Sequence, residues 1–109
     1  MKRFLILVLL SCVAVTSFAG DNEFTLGING HAFESKEITI PAGVKIKLMV
    51  VNKDSTPAEF ESKALNREKM IPGKSTGIIN LGPLEPGRYA FVEEYHENDA
   101  AAQGFIVVK

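Results

Sequence analysis

The chain has 109 residues, 12 basic and 13 acidic side chains, a formal net charge of −1 and a single cysteine. Without a basic face it offers nothing to a nucleic-acid backbone, and its length holds one small domain after any leader is removed. One cysteine excludes an internal disulfide.

The first segment reads as an export signal. Met1-Lys2-Arg3 is a short basic start, and Phe4 to Leu10 is an apolar run that continues more weakly to Ala19. Ser17-Phe18-Ala19 places small residues where a signal peptidase reads, which predicts cleavage before Gly20 and a domain over residues 20–109. Leu9-Leu10-Ser11-Cys12 resembles a lipoprotein cleavage site, but Val13-Ala14-Val15 makes a poor polar tether, so conventional cleavage is preferred. Cys12 then leaves with the signal, and thiolate chemistry leaves with it.

The remainder alternates strands and turns. Glu23 to Ile28 predicts a strand, Asn29-Gly30 a tight hairpin turn, and His31-Ala32-Phe33 the return, with His31 as an exposed strand residue. Glu37 to Ile40 stops at Pro41-Ala42-Gly43. Val44 to Leu48 alternates apolar and basic residues, as a strand with one wet face does, and Met49-Val50-Val51 predicts burial on both sides. Asn52 to Pro57 is a polar loop. Ala58 to Ser62 predicts a short strand with Glu59 and Glu61 on one face. Lys63 to Met70 fits either a turn or a short extended piece, and Lys63, Arg67, Lys69 and Lys74 read as a solvated basic region. Thr76 to Leu81, Arg88 to Glu93 and Phe105 to Val108 are strands, with a loop or single helical turn over Glu97 to Ala102. Seven or eight short strands separated by Gly and Pro make an all-β, antiparallel sandwich the expected fold.

Two stretches carry a resemblance. "FESKEITIPAGVKIKLMVVNKD" is similar to the first half of a cupredoxin and "GPLEPGRYAFVEEYHENDAAAQGFIVVK" to its closing half. "TPAEFES", "LNREKMIPG" and "GPLEPGRY" resemble the small cupredoxin-like domains of bacterial periplasmic iron uptake. Those include the EfeO-type domain and proteins that accompany iron permeases. The resemblance implies a Greek-key sandwich, a periplasmic location, an iron or copper ion as cofactor, and an iron-uptake protein of the periplasm or inner membrane as partner.

It also implies where copper ligands would fall. The first histidine position is taken by Ala58 and Glu59, the thiolate position by Glu93, and the axial methionine position by Ala102; only His96 is retained. A blue-copper centre depends on its thiolate, so this chain is not expected to be a blue-copper electron carrier. The family's arrangement brings the Glu59 and His96 loops to one end of the sandwich. Glu59, Glu93, Glu94 and His96 are then the candidate metal ligands, with Glu61 and Met70 as further possibilities and His96 as the dominant ligand. Carboxylates with one imidazole suit iron, manganese or zinc and tolerate oxidised copper. Beside this reading stand a solvated acidic surface, a metal-free module that docks to a partner, and a ferroxidase-like redox protein. Met49, Tyr89 and Phe91 are expected in the core, as is Met70 where it is not a ligand, and Tyr95 over the site. No nucleophilic catalytic set is legible, since His31 and His96 are the only imidazoles.

Overall fold

The computed structural model describes residues 22–109; the predicted signal segment lies outside the described residues. Among the described residues there are nine strands: β1 (Glu23–Asn29), β2 (Ala32–Phe33), β3 (Glu37–Ile40), β4 (Ile46–Asn52), β5 (Ala58–Ser62), β6 (Arg67–Ile71), β7 (Ser75–Leu81), β8 (Gly87–Glu93) and β9 (Gln103–Val108). Two single-turn 3-10 helices, Glu94–His96 and Ala100–Ala102, fill the connection between β8 and β9.

The strands form two facing sheets, one ordered β2-β1-β4-β7 and the other β3-β9-β8-β5-β6. The sandwich is therefore as expected, but its sheets are mixed. β1 runs parallel to β4, with Phe24 opposite Leu48, and β3 runs parallel to β9, with Ile38 opposite Ile106. The alternation of apolar and polar residues is the same in both kinds of ladder, so the pattern that reveals a strand does not reveal its neighbour's direction. The count exceeds seven or eight because two-residue β2 and edge strand β6 are both strands. β6 shows four exposed residues before Ile71 and carries no apolar alternation.

Alternation decides which side chains meet between the sheets. In β4, Ile46, Leu48, Val50 and Asn52 are buried while Lys47 is exposed. Met49 and Val51 are half-buried, which corrects the expectation of a doubly buried segment: β4 keeps its period of two to the end.

Phe33 from one sheet meets Phe91 from the other edge-to-face at 4.7 Å, and Phe60 stacks on Phe91 at 5.3 Å. Burying an aromatic of this size contributes about 2–3 kcal/mol. Gly104, across from Phe91, leaves room for that ring, since a Cβ there would lie 2.6 Å from Phe91 Cζ. Tyr89 is half-buried against the core, and its hydroxyl donates to the Glu85 carbonyl at 2.7 Å.

The loop after β4 is fixed from beneath. Buried Asn52 donates through Nδ2 to the carbonyls of Thr56 (2.8 Å), Ile71 (3.1 Å) and Pro72 (3.2 Å), tying the start of β5 to the end of β6. That linkage positions one end of the sandwich, where the candidate ligands lie.

Candidate metal centre

Pairing of β5 with β8 sets the geometry. Phe60 lies opposite Glu93 and Glu61 opposite Val92. Because side chains alternate along β8, Glu93 shares the inward face with Phe91 and is 1 % exposed. Its carboxylate is fully engaged. Oε2 accepts from the backbone N–H of Glu59 at 2.9 Å and of Tyr95 at 3.2 Å, and Oε1 makes a close contact with His96 Nδ1. Glu93 thus caps the 3-10 turn that carries His96 and sews that turn to β5.

Glu94, one residue on, faces outward. It joins Glu59 from β5 and Glu68 from β6; one carboxylate oxygen of each lies within 4.8 Å of the others. In the β5–β6 ladder Glu61 faces Glu68 and Glu59 faces Met70, so four acidic side chains and a half-exposed thioether share this corner. Among the described residues, none of the ion pairs involves Glu59, Glu61, Glu68 or Glu94.

The electrostatic consequence is large. Glu94 is pushed up to about 7, first through a hydrogen bond shared with Glu68, then by desolvation and by the charges of Glu59 and Glu61. Desolvation, followed by Glu68, also raises Glu59. One oxygen of Glu94, Oε1, is buried without a hydrogen-bond partner. Exposed Tyr95 stands over the same corner, and desolvation together with Glu59, Glu93 and Glu94 raises its phenol. Beyond it, Glu94 to Asp99 line an open depression.

The four residues singled out by sequence therefore divide into two groups. Glu59 and Glu94 come together with Glu68, which sequence reasoning passed over. Glu93 and His96 form a separate inner pair. Glu61 and Met70 border the carboxylate group. His31 is not a strand residue but the second residue of a tight turn, with φ of 63° after Gly30 at 66°. Its ring stacks on His96 with centroids 4.2 Å apart. Asp54 holds that turn by accepting the N–H of Gly30 at 2.7 Å and of His31 at 2.9 Å, and these bonds, His31 first, lower its carboxyl.

A thiolate-bound copper does not fit this arrangement. The inward position at the end of β8 is filled by a carboxylate whose oxygens are used on two backbone N–H groups and an imidazole, and no cysteine lies among the described residues.

Comparison with known proteins follows the same line. The fold is similar to that of dithionite-reduced auracyanin from Roseiflexus castenholzii, with a TM-score of 0.68 at 17% identity over 81% of this chain and 97% of that one. It is also similar to the metal-binding domain, with Cu(I), of the Cu(I)-exporting P-type ATPase CopA of Streptococcus pneumoniae. There the TM-score is 0.65 at 13% identity over 80% of this chain and 84% of that one. The model of the cupredoxin-like domain family matches residues 2–108, and the chain belongs to that family. In sequence it is 37% identical to the uncharacterized protein RP394 of Rickettsia prowazekii (strain Madrid E), over 98% of this chain and 93% of that protein.

Proposed function

We propose that this protein is an exported, periplasmic accessory of metal uptake that holds a cation, iron foremost, through the carboxylates of Glu59, Glu68 and Glu94. The observation that carries the reading is the convergence of those three groups from β5, β6 and the turn after β8, none of which takes part in an ion pair among the described residues. Bringing like charges together raises the free energy of the empty cluster, and a cation relieves it. Oxygen donors select the harder cations over soft ones, which favours iron and manganese. Iron specifically rests on the resemblance of "TPAEFES" and "LNREKMIPG" to iron-uptake domains; Glu59 lies in the first stretch and Glu68 in the second. Exposed Met70 and Tyr95 flank the cluster and give an iron-uptake protein an apolar foothold beside the cargo.

Calorimetric titration of residues 20–109 with ferrous and manganous ions tests the reading. One ion per chain is expected, with Glu68→Gln and Glu94→Gln each weakening it by tenfold or more, about 1.4 kcal/mol. If neither ion binds, the cation reading fails and the surface around Met70 and Tyr95 is left as a metal-free docking face.

A further inference from the structure

The outer faces of the two sheets carry opposite chemistry, which the net charge of −1 conceals. Glu59, Glu61 and Glu68 lie on the outer face of β5 and β6. Across the sandwich, Leu26, Leu48 and Ile79 point inward, so their neighbours on β1, β4 and β7 point out. Register then sets Met49 between Thr25 and Ile78, with Val51 opposite Thr76 in the next row. Ile78 is 48% exposed, and Met49 and Val51 are half-buried. Lysines close this apolar strip at both ends. Lys45 and Lys47 border a depression beside Asn80, and Lys53 and Lys74 border another beside Val51 and Thr76. The acidic residues on this face are already paired: Glu23 with Lys47 at 3.8 Å, and Glu34, which lies over Gly27, with Lys53 at 2.9 Å. Lys45 and Lys74 take part in no ion pair among the described residues.

An uncovered apolar strip with cations at its ends matches a surface that is anionic on top and apolar beneath. We propose that the outer face of β1, β4 and β7 docks on a membrane of anionic phospholipids, with Ile78 and Met49 at the acyl boundary and Lys45, Lys47, Lys53 and Lys74 among the headgroup phosphates. A nucleic acid would leave the apolar row unused. An acidic protein would need its carboxylates set at fixed points, whereas these lysines are spread along the whole face, as a fluid surface allows. Chain entry agrees with the pose. The Lys47 N–H donates to the Asn22 carbonyl at 2.8 Å, so the segment before Asn22 joins the fold at the Lys45–Lys47 end of this sheet. With this face on the lipid, Glu59 and Glu68 lie on the far side of the sandwich and stay open to a cation or a partner.

The test sediments residues 20–109 with vesicles of phosphatidylglycerol and phosphatidylcholine in equal parts, and with vesicles of phosphatidylcholine alone. The chain should follow the mixed vesicles only, and salt should release it. Lys45→Gln combined with Lys74→Asn should weaken that binding by about tenfold or more; asparagine suits position 74, where φ is 57°. The chain has no tryptophan, so one placed on the surface reports alone. Emission from Ile78→Trp should move to the blue on the mixed vesicles. Emission from Ala90→Trp, exposed on the outer face of the other sheet, should not. Inorganic phosphate should release the chain no better than chloride at the same ionic strength. No binding to the mixed vesicles, equal binding to the neutral ones, or undiminished binding by the lysine double variant would overturn the proposal. So would a blue shift at position 90 with none at 78. Release by phosphate in particular would overturn it in favour of a discrete anion site. Light scattering that shows a dimer, lost in the lysine double variant, would overturn it by giving this face to a second copy of the chain.

Discussion

Glu93 and Glu94 stand side by side at the end of β8, yet one side chain enters the sandwich and the other leaves it. Glu93 meets donors on every side: two backbone N–H groups and the His96 ring. Glu94 meets other acceptors, Glu59 and Glu68, and keeps one buried oxygen without a partner. The chain's passage from the last residue of β8 into the 3-10 turn separates them. A carboxylate surrounded by donors holds the fold together, and one surrounded by carboxylates is free to hold something else.

Replacing the inner member should do the most damage. Glu93→Ala strips the acceptor from the N–H groups of Glu59 and Tyr95 and frees the His96 turn, at a cost of about 3 kcal/mol. Chemical denaturation of the variant should show it, while Glu94→Ala should leave stability equal or higher at neutral pH. An equal loss in both variants would erase the distinction between them.

The outer member should control cation binding through its proton. Glu94 is held up to about 7, so manganous affinity should fall as the pH drops through that value, by about tenfold per pH unit on the acid side. Titrations in buffers of different ionisation enthalpy should register the proton released on binding at pH 6. Glu94→Gln should abolish that release.

A smaller effect concerns the cation-free protein. The folded-state value of Glu94 lies above its ordinary 4.5, so the folded chain binds this proton more tightly than the unfolded chain does. Its stabilising contribution is full below about 4.5 and is lost as the pH rises through about 7. Melting curves across that window should slope downward with pH, and Glu94→Gln should flatten them.

The last expectation is a null one. Cupric ion added to residues 20–109 should give no intense thiolate-to-copper absorption, because the inward position at the end of β8 carries a carboxylate. An intense band would mean a thiolate ligand, which residues 20–109 do not contain.

Much of this was legible in the sequence, and the part that was not shares a cause. β1, β4, β5, β7, β8 and β9 announce themselves by alternation, and Asn29-Gly30 announces the turn, because those signals are local. The facing of Glu59 and Glu61 follows from the same parity. Parity could also have turned Glu93 inward, since Phe91 is two residues before it and belongs to the core. Glu68 was passed over because Arg67 to Met70 all lie exposed on an edge strand, where no apolar beat marks the element. The pairing of His31 with His96 joins two turns remote in the chain, and nothing near either residue signals the other. Local chemistry writes the strands; long-range placement of turns writes the centre.

The edge position of β6 has a consequence for how copies of the chain keep apart. A sheet's outermost strand presents unpaired backbone groups on which another copy can grow, a hazard greatest while many partly folded chains share a compartment. Arg67, Glu68 and Lys69 are successive and exposed there, so an arriving strand would have to bury charge on both of its faces. The acidic residue that completes the carboxylate cluster is thus also one of the guards that keep the molecule from polymerising.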